Sequence, residues 1–409
     1  MKKSTLLTLL IGALPFLMVL ANSMLIPLLP QYEGELKLSS HEASLILSMF
    51  SVPAALIIPF AGFLSDRYGR KRVILVCMAV IAAGGLLCSF SAIFQGRLAY
   101  QVLLSGRFIQ GLGTGGTTPL AMALIGDLFY GEERSRQLGL LEGFNGIAKV
   151  LAPIAGALFG LISWYAPFFI FPVLAFAAGL GFYLLIKNAE TGREDHRLSV
   201  YLKNIGAAVK REKGWRFAAF LYGGAGLFLL YGLLYFLAYT IEETFHIDGF
   251  FKGFAFAFPL GSLTIASYWA GKRMKTSAHL MQRYLAAGSV LLLLSFALLA
   301  MIHSFSFLMF FLTVGFGGLG LVLPCLNSFV TSSTADSERG FVVGLYGTAR
   351  FLGVALGPIL FSVMMENPSS MFVICMAILT AVQAVFWISY YRRAIGHFFK
   401  KAAKRRAYD

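Results

Sequence analysis

Gly62-Phe63-Leu64-Ser65-Asp66-Arg67-Tyr68-Gly69-Arg70-Lys71-Arg72 is a short charged island between two long apolar runs, near 42–64 and 73–95. Each run is long enough to cross a hydrocarbon core about 30 Å thick as a helix, which takes about 20 residues. The island therefore reads as a tight loop joining two membrane spans. Its cations follow from the excess of Lys and Arg in cytoplasmic loops. That excess does not explain a lone aspartate among four cations, flanked by glycines. Gly62 and Gly69 permit a close turn, and Asp66 with Arg67 and Arg70 can lock the loop against neighbouring helix ends.

The rest of the chain repeats this alternation. Of 409 residues, 58% are apolar and only 13% charged, and mean hydropathy is +0.76. Ordinary soluble domains carry about 25% charged residues, so lipid must solvate much of this surface. Further apolar segments lie near 5–30, 98–127, 135–162 and 165–186, then 215–241, 250–270, 283–303, 306–332, 340–365 and 371–391. The expected fold is an all-α membrane protein of twelve transmembrane helices. Strands are excluded, because the alternating ten-residue pattern of an outer-membrane barrel is missing. Cys77, Cys88, Cys325 and Cys375 all fall in apolar stretches, and no metal or disulfide pattern is legible.

The net charge of +15 points to the lipid surface and not to nucleic acid, because the basic residues sit in short loops between apolar runs. With a cytoplasmic N-terminus, 28 of the 34 Lys and Arg fall on the cytoplasmic side, while Lys37, Arg97 and Lys252 fall outside. Both termini are then cytoplasmic and the first span is retained. The expected organisation is a six-helix bundle over 1–186, a cytoplasmic linker over 187–214, a second bundle over 215–391 and a basic tail over 392–409. Within the linker, Ser199 to Lys213 reads either as a basic amphipathic helix on anionic lipid or as a solvated connection.

An offset of 205 residues recovers the first half in the second. Gly113, Gly115 and Pro119 map to Gly318, Gly320 and Pro324; Glu133-Arg134 to Glu338-Arg339; Gly139 to Gly344; and Pro153 to Pro358. Two six-helix halves in the same orientation imply a pseudo-twofold axis along the membrane normal, a substrate site between them and alternating access by rocking.

The 62–72 loop closely resembles the signature between helices two and three of the major facilitator superfamily, and the repeat and topology extend that resemblance over essentially the whole chain. Its second-half copy, Ala270-Gly271-Lys272-Arg273, lacks the acid, so the Asp66 lock is one-sided. The fourth span, Arg107-Phe-Ile-Gln110-Gly111-Leu-Gly113-Thr-Gly115-Gly116, meets a dinucleotide-type glycine pattern but has no preceding strand. Its glycines read as helix-packing residues. Arg107 lies roughly 13 Å inside the membrane at 1.5 Å per residue. The segment resembles the span-four signature of proton-coupled members, which implies a coupling role for Arg107. The fifth span, from Gly139 through Pro153 to Gly156, is similar to the antiporter signature of the drug:proton antiporters. Ala148, Ala152 and Ala157 stand where that pattern has glycines, and the twin in span eleven keeps Gly353 and Gly357-Pro358. A small-residue helix interface explains the same pattern.

Glu142, Asn145 and Lys149 share one face of span five, with Glu142 and Lys149 about 10 Å apart along the axis. Glu142 is the leading proton-carrier candidate, and a structural ion pair with Lys149 is the competing reading. Arg350 stands at the repeat-related position of Asn145. Asp127, beside Glu132 and Glu133, is placed near the Asp66 loop and can join a charge network there. Asn22, Asn145, Tyr231 and Tyr235 are cavity candidates. Phe228, Tyr231, Tyr235 and Tyr239 form a stripe suited either to packing or to stacking on a substrate.

Enzyme readings fail: His41-Glu42 begins a zinc-protease pattern, but Leu45 stands where histidine is required, and neither a G-x-S-x-G nor a P-loop is found. No cofactor is implied. The resemblance implies a monomeric secondary transporter in a bacterial plasma membrane, exchanging small amphipathic organic compounds or drugs for protons. Export of an endogenous metabolite, siderophore or glycolipid, and a membrane sensor that moves nothing, are the alternatives.

Overall fold

The computed structural model describes residues 3–186, 214–274, 278–301, 304–332 and 336–406, and among them every regular element is helical. Eleven helical stretches are long and apolar enough to cross a membrane. The twelfth crossing, span four, is built from two shorter helices, Gly96–Thr114 and Thr117–Leu128, where the sequence suggests one continuous run. The linker expected over 187–214 lies outside the described residues except for Gly214, as do Lys275 and the side chains of Glu338 and Arg339.

Span one runs from Lys3–Ser23 through a short 3-10 turn, Ile26–Leu28, into Leu29–Leu36. Pro27 and Pro30 each sit in the first turn of one of the later pieces. There a missing N–H costs nothing, because the first-turn donors have no intrahelical partner. The prolines thus set the bend that carries span one six residues past its expected end. Span two, Ser40–Tyr68, starts on a capping box in which Ser39 and Glu42 satisfy each other's backbone N–H groups. It is joined to span three, Arg70–Phe90, by Gly69 alone, at φ 89°, a conformation a side chain would strain. Spans five and six are Gly131–Gly160 and Ala166–Leu185.

In the second half, spans seven to twelve are Trp215–Tyr239, Gly249–Arg273, Ala278–Leu299, Phe305–Ser332, Asp336–Met364 and Pro368–Arg406. The apolar part of span twelve ends at Tyr391, and its helix continues through the basic segment beyond.

Packing reproduces the 205-residue repeat. Spans one and five, two and four, three and four, and three and six pack in the first half. Their twins, seven and eleven, eight and ten, nine and ten, and nine and twelve, pack in the second. Between halves, span two meets span eleven and span five meets span eight, a pair of contacts that the same symmetry exchanges. Even lipid exposure repeats: Ile147, Leu151 and Leu158 of span five are exposed, and so are Leu352, Leu356 and Val363, each 205 residues on.

The glycines of spans four and ten explain how these helices approach so closely. A Cβ on Gly115 would strike the Ala54 carbonyl of span two, and one on Gly113 the Cys77 carbonyl of span three. Gly320 and Gly318 meet the Leu263 and Gly288 carbonyls of spans eight and nine in the same way. Small residues at these contacts admit backbone against backbone, which is how apolar helices gain packing energy in lipid.

Candidate functional site

Four polar groupings among the described residues bear on the site. The first surrounds Arg107, which is fully buried. Its Nε donates to the Ile46 carbonyl at 3.0 Å and its Nη1 to the Ala21 carbonyl at 2.8 Å. Further bonds reach Gln110 Oε1 and Asn22 Oδ1, and the guanidinium lies 4.4 Å from the centre of the Phe50 ring. One cation therefore ties spans one, two and four together through neutral acceptors. Asn22, expected to line a cavity, is instead buried between Arg107 and the Ser51 hydroxyl.

The second grouping is Glu142, Lys149 and Arg350. Glu142, expected deep in apolar surroundings, is exposed. That exposure is not to lipid: Leu140, Ile147 and Leu151 mark the lipid stripe of span five, and at 100° per residue Glu142 lies on the other side of the helix. It faces the space between the halves. Lys149 is within electrostatic reach of both Glu142 and Arg350. Among the described residues, Glu142 and Lys149 interact through space without a direct ion pair. Arg350 lies opposite the Leu352–Leu356 stripe of span eleven, over the Tyr346 ring at 5.5 Å. The structure thus brings three of the four proton-coupling candidates together and leaves Arg107 in a separate clamp. Asn145 lies beside Gly146, whose carbonyl accepts from Thr264 of span eight at 3.4 Å.

The third grouping is the stretch expected to form a loop at 62–72, which is instead the helical ends of spans two and three joined by Gly69, with Gly62 inside span two. Arg70 pairs with Asp66 at 3.2 Å and with Asp127, and also donates to Ser65 Oγ at 3.0 Å. Lys71 reaches the Tyr183 carbonyl of span six at 2.8 Å. Arg70 is thus the hub that joins Asp66 to Asp127, while Arg67 lies over the neighbouring Tyr68 ring. A Cβ on Gly62 would meet nothing within 4 Å, nor would one on Gly139.

The fourth grouping lies at the opposite end of the helices; its tyrosine stripe is legible in the sequence, but the partners it meets are not. Tyr231 OH bonds Ser23 Oγ at 3.3 Å, Tyr235 OH donates to the Ser40 carbonyl at 2.6 Å, and Tyr239 OH donates to Glu33 Oε1 at 2.8 Å. All three cross from span seven to the first half. Ser48 Oγ adds a 2.6 Å bond to the Ala355 carbonyl, and Lys252 pairs with Glu242 nearby. A π-helical turn, Thr240–Thr244, ends span seven here and presents Glu242 and Glu243. Phe228 packs on Phe361 within the second half, so the seal between halves rests on the three tyrosines. Glu33 and Glu242 went unnoticed because each stands at the end of an apolar run, where a carboxylate normally meets water.

The span-five signature is a packing surface at Pro153 and Gly156 but not at Gly139, which is exposed where span five emerges from its neighbours. Gly156 lies against the Met24 backbone of span one, while its twin Phe361 fills the notch left by Gly232 of span seven. Gly353 and Gly357 approach the Gly224 and Phe228 carbonyls, and Pro153 and Pro358 are both buried. The small partner is on span five in one half and on span seven in the other.

The family model of the Major Facilitator Superfamily matches residues 11–358. The chain belongs to that superfamily. Along 359 residues the transporter is 37% identical to the bacillibactin exporter of Bacillus subtilis (strain 168), covering 87% of this chain and 89% of the relative. It is 32% identical to the multidrug resistance protein MdtL of Salmonella heidelberg (strain SL476) over 170 residues, 41% of this chain and 42% of that one. Its fold is similar to that of a D-xylose-proton symporter, with a TM-score of 0.75 at 12% identity over 94% of this chain and 98% of the other. An inward-facing bacterial homologue of the lysosomal transporter Spinster gives 0.75 at 14% identity, over 95% and 96%. The transporter is a multi-pass membrane protein with no enzymatic role, as the family implies.

Proposed function

We propose that this transporter exports a small amphipathic organic compound by alternating access in exchange for protons, with a siderophore as its first substrate class. The observation that carries the reading is the likeness to a bacillibactin exporter along nearly the whole of both chains. Efflux of drugs is a second reading, favoured by the shorter likeness to MdtL.

The geometry supports a defined step of that cycle. Placing the basic loops in the cytoplasm puts the Tyr231–Tyr235–Tyr239 seal at the outer face and the exposed Glu142 on the cytoplasmic side. This is an inward-facing arrangement, closed to the outside and ready to load. In this reading Glu142 carries the proton, Lys149 and Arg350 set its electrostatics, and the Asp66–Arg70–Asp127 hub closes the cytoplasmic side when the halves rock. Both termini are cytoplasmic, the halves are 1–186 and 215–391, and one chain suffices.

Everted membrane vesicles from cells expressing the protein test this directly. Uptake of bacillibactin into the vesicles should require an imposed pH gradient and collapse when an ionophore dissipates it. Gradient-independent uptake would remove proton coupling, and uptake of dyes but not of bacillibactin would favour drug efflux.

A further inference from the structure

Lys149 and Arg350 bring two positive charges from different halves of the chain into the space between spans five and eleven. Each stands opposite the lipid-facing stripe of its own helix, and the two feel one another's charge. Glu142 supplies one carboxylate for the two cations. The grouping keeps a net positive charge between the halves.

Its hydrogen-bonding capacity is also unspent. Arg350 Nε and the Tyr346 hydroxyl are buried without a hydrogen-bond partner, and so is Asn145 Oδ1. Tyr346 precedes Arg350 by one helical turn, and Asn145 precedes Lys149 by one. The unpaired atoms therefore flank the two cations on their own helices, one set from each half. The Arg350 Nε–H and the Tyr346 hydroxyl are unpaired donors beside incompletely neutralised cations, and an anion bound there relieves both costs, while Asn145 Oδ1 can only accept from a donor group of the same ligand. The planar guanidinium suits a carboxylate or ionised phenol by paired donation, while the lysine ammonium acts as a point charge. Next to these groups the Tyr346 and Phe220 rings lie 5.7 Å apart, and Gly223 leaves room for the Tyr346 ring. An aromatic body attached to the acidic group would have apolar surface to rest on.

We propose that Lys149 and Arg350 jointly bind the acidic group of an amphipathic organic anion, so that this transporter selects anions over cations of the same shape. The inference rests on the export reading and narrows it to a charge class. A site for cationic drugs needs the reverse arrangement, a carboxylate without basic neighbours, and Glu142 has Lys149 within electrostatic reach.

Fluorescein and rhodamine 6G share a xanthene ring system and carry opposite charge, which makes them suitable probes. Binding to the purified full-length protein in lipid nanodiscs is read by fluorescence anisotropy. Fluorescein should bind about tenfold or more tightly than rhodamine 6G, with the difference shrinking as salt rises. Lys149→Met and Arg350→Gln should each remove most of that preference. Lys149→Arg should retain it, while Arg350→Lys should not, because an ammonium cannot replace paired donation. Glu142→Gln should strengthen fluorescein binding by removing the opposing charge. Equal binding of the two dyes by the wild-type protein, or tighter binding of rhodamine 6G, overturns the proposal even if every variant misfolds. Vesicle flux separates the two readings: pumping of rhodamine 6G but not fluorescein sinks the anion site and leaves export standing, whereas a protein that binds fluorescein yet drives no flux of any compound keeps the site and sinks export.

Discussion

The Tyr239 hydroxyl of span seven donates a 2.8 Å hydrogen bond to Glu33 Oε1 at the end of span one, so a single phenol joins the two halves of the chain. Tyr235 packs against Tyr239 with ring centres 4.8 Å apart and planes tilted by 36°, and donates its own hydroxyl to the Ser40 carbonyl. A rocking motion that opens this end must break both bonds. Tyr239→Phe removes one of them and keeps the ring. A hydrogen bond to a charged group contributes about 1.5–3 kcal/mol, so the closed population should fall about tenfold or more relative to the open one. A cysteine introduced at the exposed Gly139 position in a cysteine-free background should then label more slowly with maleimide from the basic side. Unchanged labelling would show that Tyr239 does not hold the seal.

Arg107 is positioned to be structural whatever else it does. Losing it removes four hydrogen bonds from the interior of three packed spans, to the Ala21 and Ile46 carbonyls and to the Gln110 and Asn22 side chains. A buried side-chain acceptor left without its donor costs about 1–3 kcal/mol. Arg107→Ala should therefore lower the midpoint of thermal unfolding of the purified protein by several degrees. Arg107→Lys should recover little, because one ammonium cannot reproduce the forked reach to spans one and two. Full thermal stability with transport lost would instead assign Arg107 to coupling alone.

Glycines with similar sequence credentials should separate sharply. A Cβ at Gly156 would fall on the Met24 carbonyl of span one, and backbone there has nowhere to move. Gly156→Ala should reduce the yield of folded protein, and Gly156→Leu should abolish it. Gly62→Ala and Gly139→Ala meet open space in mid-helix. They should leave the yield unchanged or raise stability by about 0.5–1 kcal/mol. Size-exclusion profiles of a fluorescent fusion read all four.

Arg70 should matter more than either of its carboxylates. Asp66→Asn and Asp127→Asn each remove one half-exposed ion pair, a loss of about 0.2–1 kcal/mol. Arg70→Gln removes both and also the bond to Ser65. Transport rates in vesicles should fall furthest for Arg70→Gln, and the two aspartate variants combined should approach it. An Asp66→Asn effect larger than that of Arg70→Gln would mean that Asp66 acts through another partner.

Glu142 carries the clearest prediction about energy coupling. Glu142→Gln should retain downhill exchange of substrate across vesicles while losing acceleration by an imposed pH gradient. Full gradient-driven pumping by the variant would place the proton site elsewhere.

Helix number, the two-half repeat and the packing role of the span-four glycines were legible in the sequence, because lipid leaves helices few ways to satisfy their backbone and Gly113 and Gly115 have glycine twins 205 residues away. The same logic picked out Glu142, Lys149 and Arg350 as rare charges inside apolar runs. It did not separate Arg107 from them, because depth alone cannot tell a cation clamped by carbonyls from one facing the space between the halves. Nor did it find Glu33, Glu242 or Lys252, whose places at the ends of runs looked like ordinary solvation until span seven met span one. Periodicity and hydropathy are properties of one helix at a time, and they determined which segments span and which face meets lipid. Which end is sealed, which polar groups share a site and which glycine touches a carbonyl depend on contacts between helices far apart in the chain, and only the tertiary structure decided those.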